Sequence, residues 1–142
     1  MTRPDYETDS DLCNEKNIAA NIESAWGVSL QKTPRRYPYD YIALDFNEVA
    51  VALIEIKNRN NDSKKYQSYM ISMGKLAECQ GTAKTVGLAF VLVVGFSDKI
   101  MFWPYRKNQF DIEIGGRRDR GDNQDIEPVA QIPMKHFKDI LA

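Results

Sequence analysis

The 142-residue chain has few of the side chains that most often build metal sites and hydrolytic triads, with one histidine and two cysteines. A single histidine, His136, argues against a Ser-His-Asp triad or a histidine-rich metal site. Two cysteines are too few for a disulfide scaffold or a cysteine-based zinc site, and we expect both to stay reduced, as in the cytoplasm. Any hydrolytic chemistry should therefore depend on carboxylates and lysine.

Long apolar runs and a net excess of one charge are also absent. The longest mainly apolar stretch, residues 86–96, is shorter than the roughly 20 residues of a membrane helix. The polar N-terminus does not resemble a signal peptide, so we expect no membrane association. A formal charge of -1 excludes a binder that depends on bulk positive charge. Residues 28–75 nevertheless hold eight basic and five acidic side chains, which is compatible with a local basic groove.

The hydrophobic pattern predicts one α/β domain over residues 1–142, with its core at about residues 10–105. The predicted elements are a helix over 10–26, a strand over 28–32, a hairpin of 37–46 and 49–57, a helix over 64–80, strands over 88–96, 99–105 and 129–132, and a short helix after Pro133. Residues 115–125 are polar and Gly-rich and are predicted to form a mobile loop. The strand-helix-strand unit over 49–96 requires a right-handed crossover, and hence a parallel pair inside a mixed sheet.

The most unusual local pattern is Glu55-Ile56-Lys57, which ends the most hydrophobic strand. Because side chains alternate along a strand, Glu55 and Lys57 share a face with Val51 and Leu53. A carboxylate and an ammonium group there are costly unless they are paired or bind a metal. The competing interpretation is a strand end that emerges into solvent with an ordinary surface ion pair.

Hairpin geometry adds a second carboxylate. If the turn is centred on residues 47–48, the numbers of paired residues add up to about 95, which places Asp40 opposite Glu55. Opposed residues have Cβ atoms roughly 5 Å apart, so the two carboxylates repel unless a cation or proton lies between them. Such a pair suits Mg²⁺, which commonly takes one or two carboxylates plus water. Asp45 lies beside the turn, where a role in turn formation is expected.

The first helix carries a third acidic candidate. At about 100° per residue, Glu15 falls in the middle of the apolar stripe that contains Ile18 and Ile22, whereas Glu23 falls at its edge. A glutamate centred on a buried face either extends past the end of the sheet or contributes to an acidic site. On the second predicted helix, Gln67 and Lys75 are further candidates, although polar residues on helix flanks are common.

Together, Glu15, Asp40, Glu55 and Lys57 resemble the PD-(D/E)XK nuclease superfamily, whose members have the restriction-endonuclease-like fold and include Holliday-junction resolvases. The acidic-X-Lys tripeptide is Glu55-Ile56-Lys57, and the predicted αβββαβ order is similar to the superfamily's core, a mixed sheet flanked by helices. Tyr39, rather than proline, precedes Asp40 in this chain. The segment Tyr66-Gln67 loosely resembles a helix-borne glutamine or lysine that several branches of the superfamily place behind the site.

The resemblance implies a Mg²⁺- or Mn²⁺-dependent hydrolase of phosphodiester bonds of DNA, with an endonuclease favoured over an exonuclease and neither alternative excluded by the sequence. Asp40, Glu55 and the Ile56 carbonyl would hold the metal, Glu15 would bind it directly or through water, Lys57 would orient the attacking water, and Gln67 would support the site. Candidate DNA contacts are Arg35, Arg36, Arg59, Lys64, Lys65, Arg117 and Arg118, each of which is equally compatible with an ordinary solvated surface.

Two other interpretations remain open at the level of sequence. One is a catalytically inactive nucleic-acid-binding module of the same fold, and the other is a purely structural αβ interaction domain. Completeness of the site favours the enzyme, because each expected position holds a competent residue. A chain this small covers little DNA, so we also expect a homodimer that cuts two strands.

Overall fold

A computed structural model of the chain describes residues 9–115 and 127–141. Its helices are α1 (Asp9–Trp26) and α2 (Met73–Val86), and a 3₁₀ turn spans Met134–His136. Its strands are β1 (Ser29–Lys32), β2 (Tyr41–Leu44), β3 (Ala50–Asn58), β4 (Ser68–Ser72), β5 (Ala89–Gly95), β6 (Ile100–Pro104), β7 (Asp111–Gly115), β8 (Glu127–Pro133) and β9 (Lys138–Asp139). Neither described helix is long and apolar enough to cross a membrane.

The main sheet has six strands in the order β1-β2-β3-β5-β6-β9. All neighbouring strands are antiparallel except β3 and β5, which run parallel and are joined through β4 and α2. The predicted parallel pair inside a mixed sheet is therefore confirmed. A second sheet, of order β4-β8-β7, is fully antiparallel.

Helices α1 and α2 pack against opposite faces of the main sheet. The central strand β3 is therefore buried on both faces. On one face, Ile18 and Ile22 of α1 pack with Ile54 and Ile56 of β3. On the other face, Leu53 and the fully buried Trp103 pack with residues of α2 and of the second sheet, among them Leu76, Cys79 and Ile132. Glu55 follows Leu53 by two residues and so belongs to the α2 face.

The predicted helix over 64–80 is wrong at its start, because the chain first forms strand β4 and enters α2 only at Met73. Tyr69 and Ile71 are buried whereas Met70 is exposed, which is the alternation of a strand. These residues pair with β8, about sixty positions later in the chain. The helix begins where the Ser72 side chain accepts a hydrogen bond from the Lys75 N–H at 3.4 Å.

Other boundaries also differ from the prediction. The first hairpin strand spans only Tyr41–Leu44 rather than 37–46. The helix expected after Pro133 is a single 3₁₀ turn followed by β9, and strand β7 was not predicted. The predicted mobile loop over 115–125 begins at the last residue of β7 and otherwise lies outside the described residues, as do Arg117 and Arg118.

Candidate active site

Glu55 lies near the end of β3 and is almost completely buried, with 2% of its surface exposed. Its Oε2 atom lies 3.0 Å from Lys57 Nζ and 3.5 Å from Lys75 Nζ. The other carboxylate oxygen, Oε1, is buried without a hydrogen-bond partner among the described residues. A buried carboxylate oxygen without a partner is energetically costly, which makes it a natural position for a ligand or a cation.

The charge on Glu55 is therefore difficult to maintain in the protein alone. Burial raises the pKa of Glu55 from 4.5 to about 7, with a further increase from the nearby Asp40 carboxylate, while Lys57 and Lys75 lower it. Desolvation outweighs the two ion pairs because both ammonium groups keep partial access to water. A carboxyl group that titrates near neutral pH in a polar cluster is a common property of functional sites.

Asp40 lies one residue before the β2–β3 ladder, which has the predicted register, and it is close enough to Glu55 to raise the pKa of that carboxyl group. Tyr41 pairs with Ile54 and Ile42 with Leu53, so the numbers of paired residues add up to 95 until a bulge shifts the pairing at Leu44. One residue before this ladder, the Asp40 N–H donates to the Ile54 carbonyl at 2.9 Å. The Asp40 side chain accepts through Oδ2 from the Ile56 N–H at 2.8 Å, which fixes the carboxylate against β3.

The turn that precedes Asp40 is held by Thr33. The buried Thr33 hydroxyl donates to the Tyr39 carbonyl at 2.6 Å and contacts the Asp40 carbonyl at 2.9 Å, and the Thr33 N–H also donates to the Asp40 carbonyl at 2.9 Å. On the other side, the Cys79 thiol of α2 donates to the Pro38 carbonyl at 3.1 Å. Burial raises the pKa of the Cys79 thiol to about 12, so this cysteine is a structural donor rather than a nucleophile.

The two acidic candidates on α1 have different roles. Glu23 accepts a hydrogen bond from the Leu30 N–H at 2.8 Å, which ties α1 to β1. Glu15 lies about two turns nearer the start of the helix. Its Oε2 is 2.8 Å from Lys32 Nζ, and the same ammonium group is 3.8 Å from Asp40 Oδ1. Of the two glutamates, Glu15 is therefore the one that is linked to Asp40, through the side chain of Lys32.

Lys32 is the site residue that the sequence interpretation missed. It ends a short strand, β1, and its ammonium group lies between Glu15 and Asp40 and 5.0 Å from the centre of the Tyr41 ring. The sequence offers only a partial signal, because the register pairs Lys32 with Tyr41, the residue that follows Asp40, and places Lys32 near this end of the hairpin. Without knowing where α1 packs, that register does not connect Lys32 to Glu15.

The other candidates divide into two groups. Lys75, in the first turn of α2, contacts Glu55. Gln67 was expected to reach the site from a helix, but it lies exposed before β4. Its carbonyl accepts the Met134 N–H at 2.8 Å. Asp45 has the expected turn role, since its Oδ1 accepts the N–H groups of Asn47 and Val49. The described basic candidates are all surface residues: Arg35, Arg36, Arg59, Lys64 and Lys65.

The oxygen atoms around Glu55 and Asp40 could serve as ligands of a divalent metal. Among the described side chains, no three acidic, histidine or cysteine residues are grouped so that they could hold a metal by themselves. Asp40 and the unpartnered Glu55 Oε1 nevertheless supply two hard oxygen donors, and the Ile56 carbonyl belongs to the residue between Glu55 and Lys57. Two carboxylates completed by main-chain and water oxygens match the coordination habits of Mg²⁺, so the residues fit such an ion.

The mixed sheet with a helix on each face and an acidic-X-Lys strand defines a restriction-endonuclease-like fold of the PD-(D/E)XK class. The chain belongs to the family described as "Phage putative PDDEXK endonuclease", whose model matches residues 1–140. No match is found among curated proteins. The structure is similar to that of Hjc, a Holliday junction resolvase from the archaeal hyperthermophile Archaeoglobus fulgidus, with a TM-score of 0.61, 14% sequence identity, and coverage of 89% of this chain and 96% of that chain.

Proposed function

We propose that this protein is a metal-dependent endonuclease that hydrolyses phosphodiester bonds of DNA. The observation that carries the proposal is the buried Glu55 carboxylate, which has one oxygen paired with Lys57 and Lys75 and the other without a partner, beside an Asp40 held by the Ile56 N–H. The family description and the fold support the same class of activity.

In the proposed site, Asp40, the Glu55 Oε1 atom and the Ile56 carbonyl would hold Mg²⁺ or Mn²⁺. When bound, such an ion lowers the pKa of a coordinated water and neutralises charge that develops on the phosphate. The chain itself provides the rigid arrangement: β3 fixes Glu55, and the Ile56 N–H fixes Asp40. Metal binding would also resolve the repulsion between the two carboxylates and favour the ionised form of Glu55.

Lys57 is the proposed positioning group for the attacking water. Its ammonium group is 3.0 Å from Glu55 and keeps access to solvent, so it can reach a water or a phosphate oxygen without leaving the site. Lys75 holds the same Glu55 oxygen from α2. Glu15 is proposed to act by holding Lys32 near Asp40 and not as a direct ligand of the metal.

The path of the DNA is proposed to run along the basic residues on both sides of this site. Arg35 and Arg36 lie in the exposed turn just before Asp40, and Arg59 follows Lys57 by two residues. Lys64 and Lys65 continue the same exposed loop. Contacts of this kind go to the phosphate backbone, so they support binding of DNA without specifying a sequence.

A cleavage panel tests the proposal. The wild type, Asp40→Asn and Lys57→Ala would be incubated with supercoiled, linear and branched DNA in Mg²⁺, in Mn²⁺ and in EDTA. We expect cleavage only with metal and a loss of at least about 100-fold in both variants. Asn at position 40 keeps an acceptor for the Ile56 N–H, so a loss of activity there reflects the lost charge rather than a lost fold.

Two results would contradict the proposal. Cleavage of no substrate in either metal would reject the enzyme, and cleavage unchanged in both variants would place the activity elsewhere. Calorimetry separates the alternatives in the first case: a protein that binds DNA without turnover is a binding module, and one that binds neither DNA nor metal is a structural domain. Glu48→Gln, at the exposed hairpin turn, is the matched control because it removes one carboxylate far along the hairpin from Asp40.

A further inference from the structure

A cavity of about 380 Å³ opens beside the end of β3. Aromatic and thioether side chains form much of its wall, namely Tyr66, Tyr69, Met70, Phe96 and Met134. Polar groups are added by Arg59 and by the amides of Asn61 and Gln131. An apolar chamber of this size with a few polar groups is typical of a site for a small planar ligand.

The walls of the cavity are fixed by hydrogen bonds between segments that are distant in sequence. The loop after β3 is joined to the β5–β6 turn, since Ser97 N–H donates to the Asn61 carbonyl at 3.0 Å and Asp98 accepts from the Ser63 N–H at 2.8 Å and from its hydroxyl at 2.7 Å. The opposite wall is held by Met134 N–H, which donates to the Gln67 carbonyl at 2.8 Å. The cavity is therefore formed before any ligand binds.

Arg59 connects the cavity to the proposed catalytic centre. It follows Lys57 by two residues, which is about 6.6 Å along an extended chain, and its N–H donates to the Gly95 carbonyl at 2.9 Å. Its guanidinium group lies 5.1 Å from the centre of the Tyr69 ring. The Tyr69 hydroxyl is buried and has no hydrogen-bond partner among the described residues. Burial raises the pKa of this hydroxyl to about 12, and the charge on Glu55 contributes to the increase.

We propose that this cavity receives one unstacked nucleobase of the DNA strand whose phosphate lies at Glu55 and Lys57. The inference rests on the proposed function, since it takes DNA as the substrate. Unstacked bases bind to aromatic rings and to arginine planes, and amide groups can hydrogen-bond their edges. The cavity supplies the exposed ring of Tyr66 and the guanidinium group of Arg59, and the side-chain oxygens of Asn61 and Gln131 belong to residues of its lining.

The proposal has a consequence for the kind of DNA that is preferred. A base that is stacked and paired in a duplex must first leave the helix, which loses its pairing and stacking interactions. A DNA that already carries an unpaired base avoids this loss. The protein should therefore bind a duplex with one extrahelical base more tightly than the same duplex with that base removed.

A direct readout is the nuclear magnetic resonance of ¹³C-labelled methionine methyl groups. Met70 and Met134 line the cavity, whereas Met73 and Met101 do not, so each protein contains its own controls. We expect a short single-stranded DNA, added to the wild type in EDTA, to shift the Met70 and Met134 signals in a saturable way. Met70→Leu assigns the first signal. No shift of the Met70 and Met134 signals, or equal shifts of these two and of the Met73 and Met101 signals, would overturn the proposal.

A second experiment measures the base itself. A duplex with one unpaired 2-aminopurine would be compared with the same duplex carrying an abasic position, both with the same fluorescent label at one end, by anisotropy titration in EDTA. We expect the wild type to prefer the base-containing duplex by about tenfold, and Tyr66→Ala to remove this preference. Tyr66 is exposed, so its truncation leaves the core intact, and Phe46→Ala, at the exposed hairpin turn, is the matched aromatic control that should keep it. Equal affinity of the wild type for both duplexes would also overturn the proposal.

Failure of this inference can be told apart from failure of the proposed function. If DNA is cleaved but the methionine signals do not move and Tyr66→Ala keeps the wild-type affinities, then only the base pocket is rejected. If no DNA is cleaved but Met70 and Met134 respond to the oligonucleotide, then the pocket stands and the hydrolytic function is rejected.

Discussion

Glu55 is subject to opposing requirements that set its protonation state. Its position on a core strand removes it from water, which favours the neutral acid, while Lys57 and Lys75 favour the carboxylate. The balance leaves the pKa at about 7, close to the pH at which the proposed enzyme would work. Without metal, the folded protein therefore holds a carboxyl group that resists ionisation.

This predicts how stability depends on pH. Because the pKa of Glu55 is raised on folding from 4.5 to about 7, the native state binds more protons between these values. The free energy of unfolding should therefore fall as the pH rises through this window, by up to about 3 kcal/mol. Glu55→Gln removes the titration. We expect it to match the wild type near about pH 4 and to exceed the wild type in stability near about pH 8.

Urea unfolding of both proteins in EDTA, at several pH values, measures the difference that belongs to Glu55. Other titrating groups are common to the two proteins and cancel in the comparison. A difference that does not change with pH, or a variant that becomes less stable than the wild type as the pH rises, would show that the carboxylate is well satisfied by the two lysines.

At the scale of elements, α2 provides a matched pair of glycines. Gly87 ends the helix with φ at 74° in the left-handed region, and Leu88 N–H donates to the Ala83 carbonyl at 2.8 Å in the same turn. Gly81 lies inside the helix, exposed, with open space where a Cβ would be. The same substitution should therefore have opposite effects at the two positions.

We expect Gly87→Ala to lower the free energy of unfolding by about 1 kcal/mol, because alanine is strained in the left-handed region. Gly81→Ala should raise it by about 0.5 to 1 kcal/mol, because alanine favours the helix interior. Urea denaturation measures both values. If both variants changed stability in the same direction, the helix would not end at Gly87 as described.

The element order shows how far local sequence patterns reach. The α1 helix was predictable because its apolar residues recur every three or four positions, and the β3 strand because it is almost continuously apolar. The β4 strand was not, because Tyr66, Tyr69, Met70 and Met73 follow helical spacing equally well, and the choice is made by pairing with β8. The start of α2 had a local signal in Ser72, which caps the helix.

At the scale of the molecule, one part of the candidate site could be predicted from local sequence and another part could not. The register of the β2–β3 ladder depends only on a short hairpin, so the sequence was enough to predict it. The contact of Lys32 with both Glu15 and Asp40 depends on how α1 crosses β1, and the contact of Lys75 with Glu55 depends on where α2 begins. Such long-range contacts have no signature in local spacing.

The size of the molecule leads to a prediction about assembly. The chain is 16.3 kDa and the proposal gives it a single catalytic centre, so cutting both strands of a duplex requires two copies or two encounters. We expect two copies to bind one duplex. Analytical ultracentrifugation of the protein with and without DNA measures the stoichiometry, with Lys57→Ala used to prevent cleavage. A monomer under all conditions would contradict the expectation.

The hydrogen bond from the Ile56 N–H to Asp40 makes one main-chain amide a reporter of the site. Exchange of this amide with deuterium requires that the Asp40 side chain leave β3, so its protection measures how often the carboxylate pair is disassembled. The chemical shift of this amide should change when a cation binds to the Asp40 carboxylate, even when no DNA is present. The assembly of the proposed catalytic centre can therefore be followed in the absence of DNA cleavage.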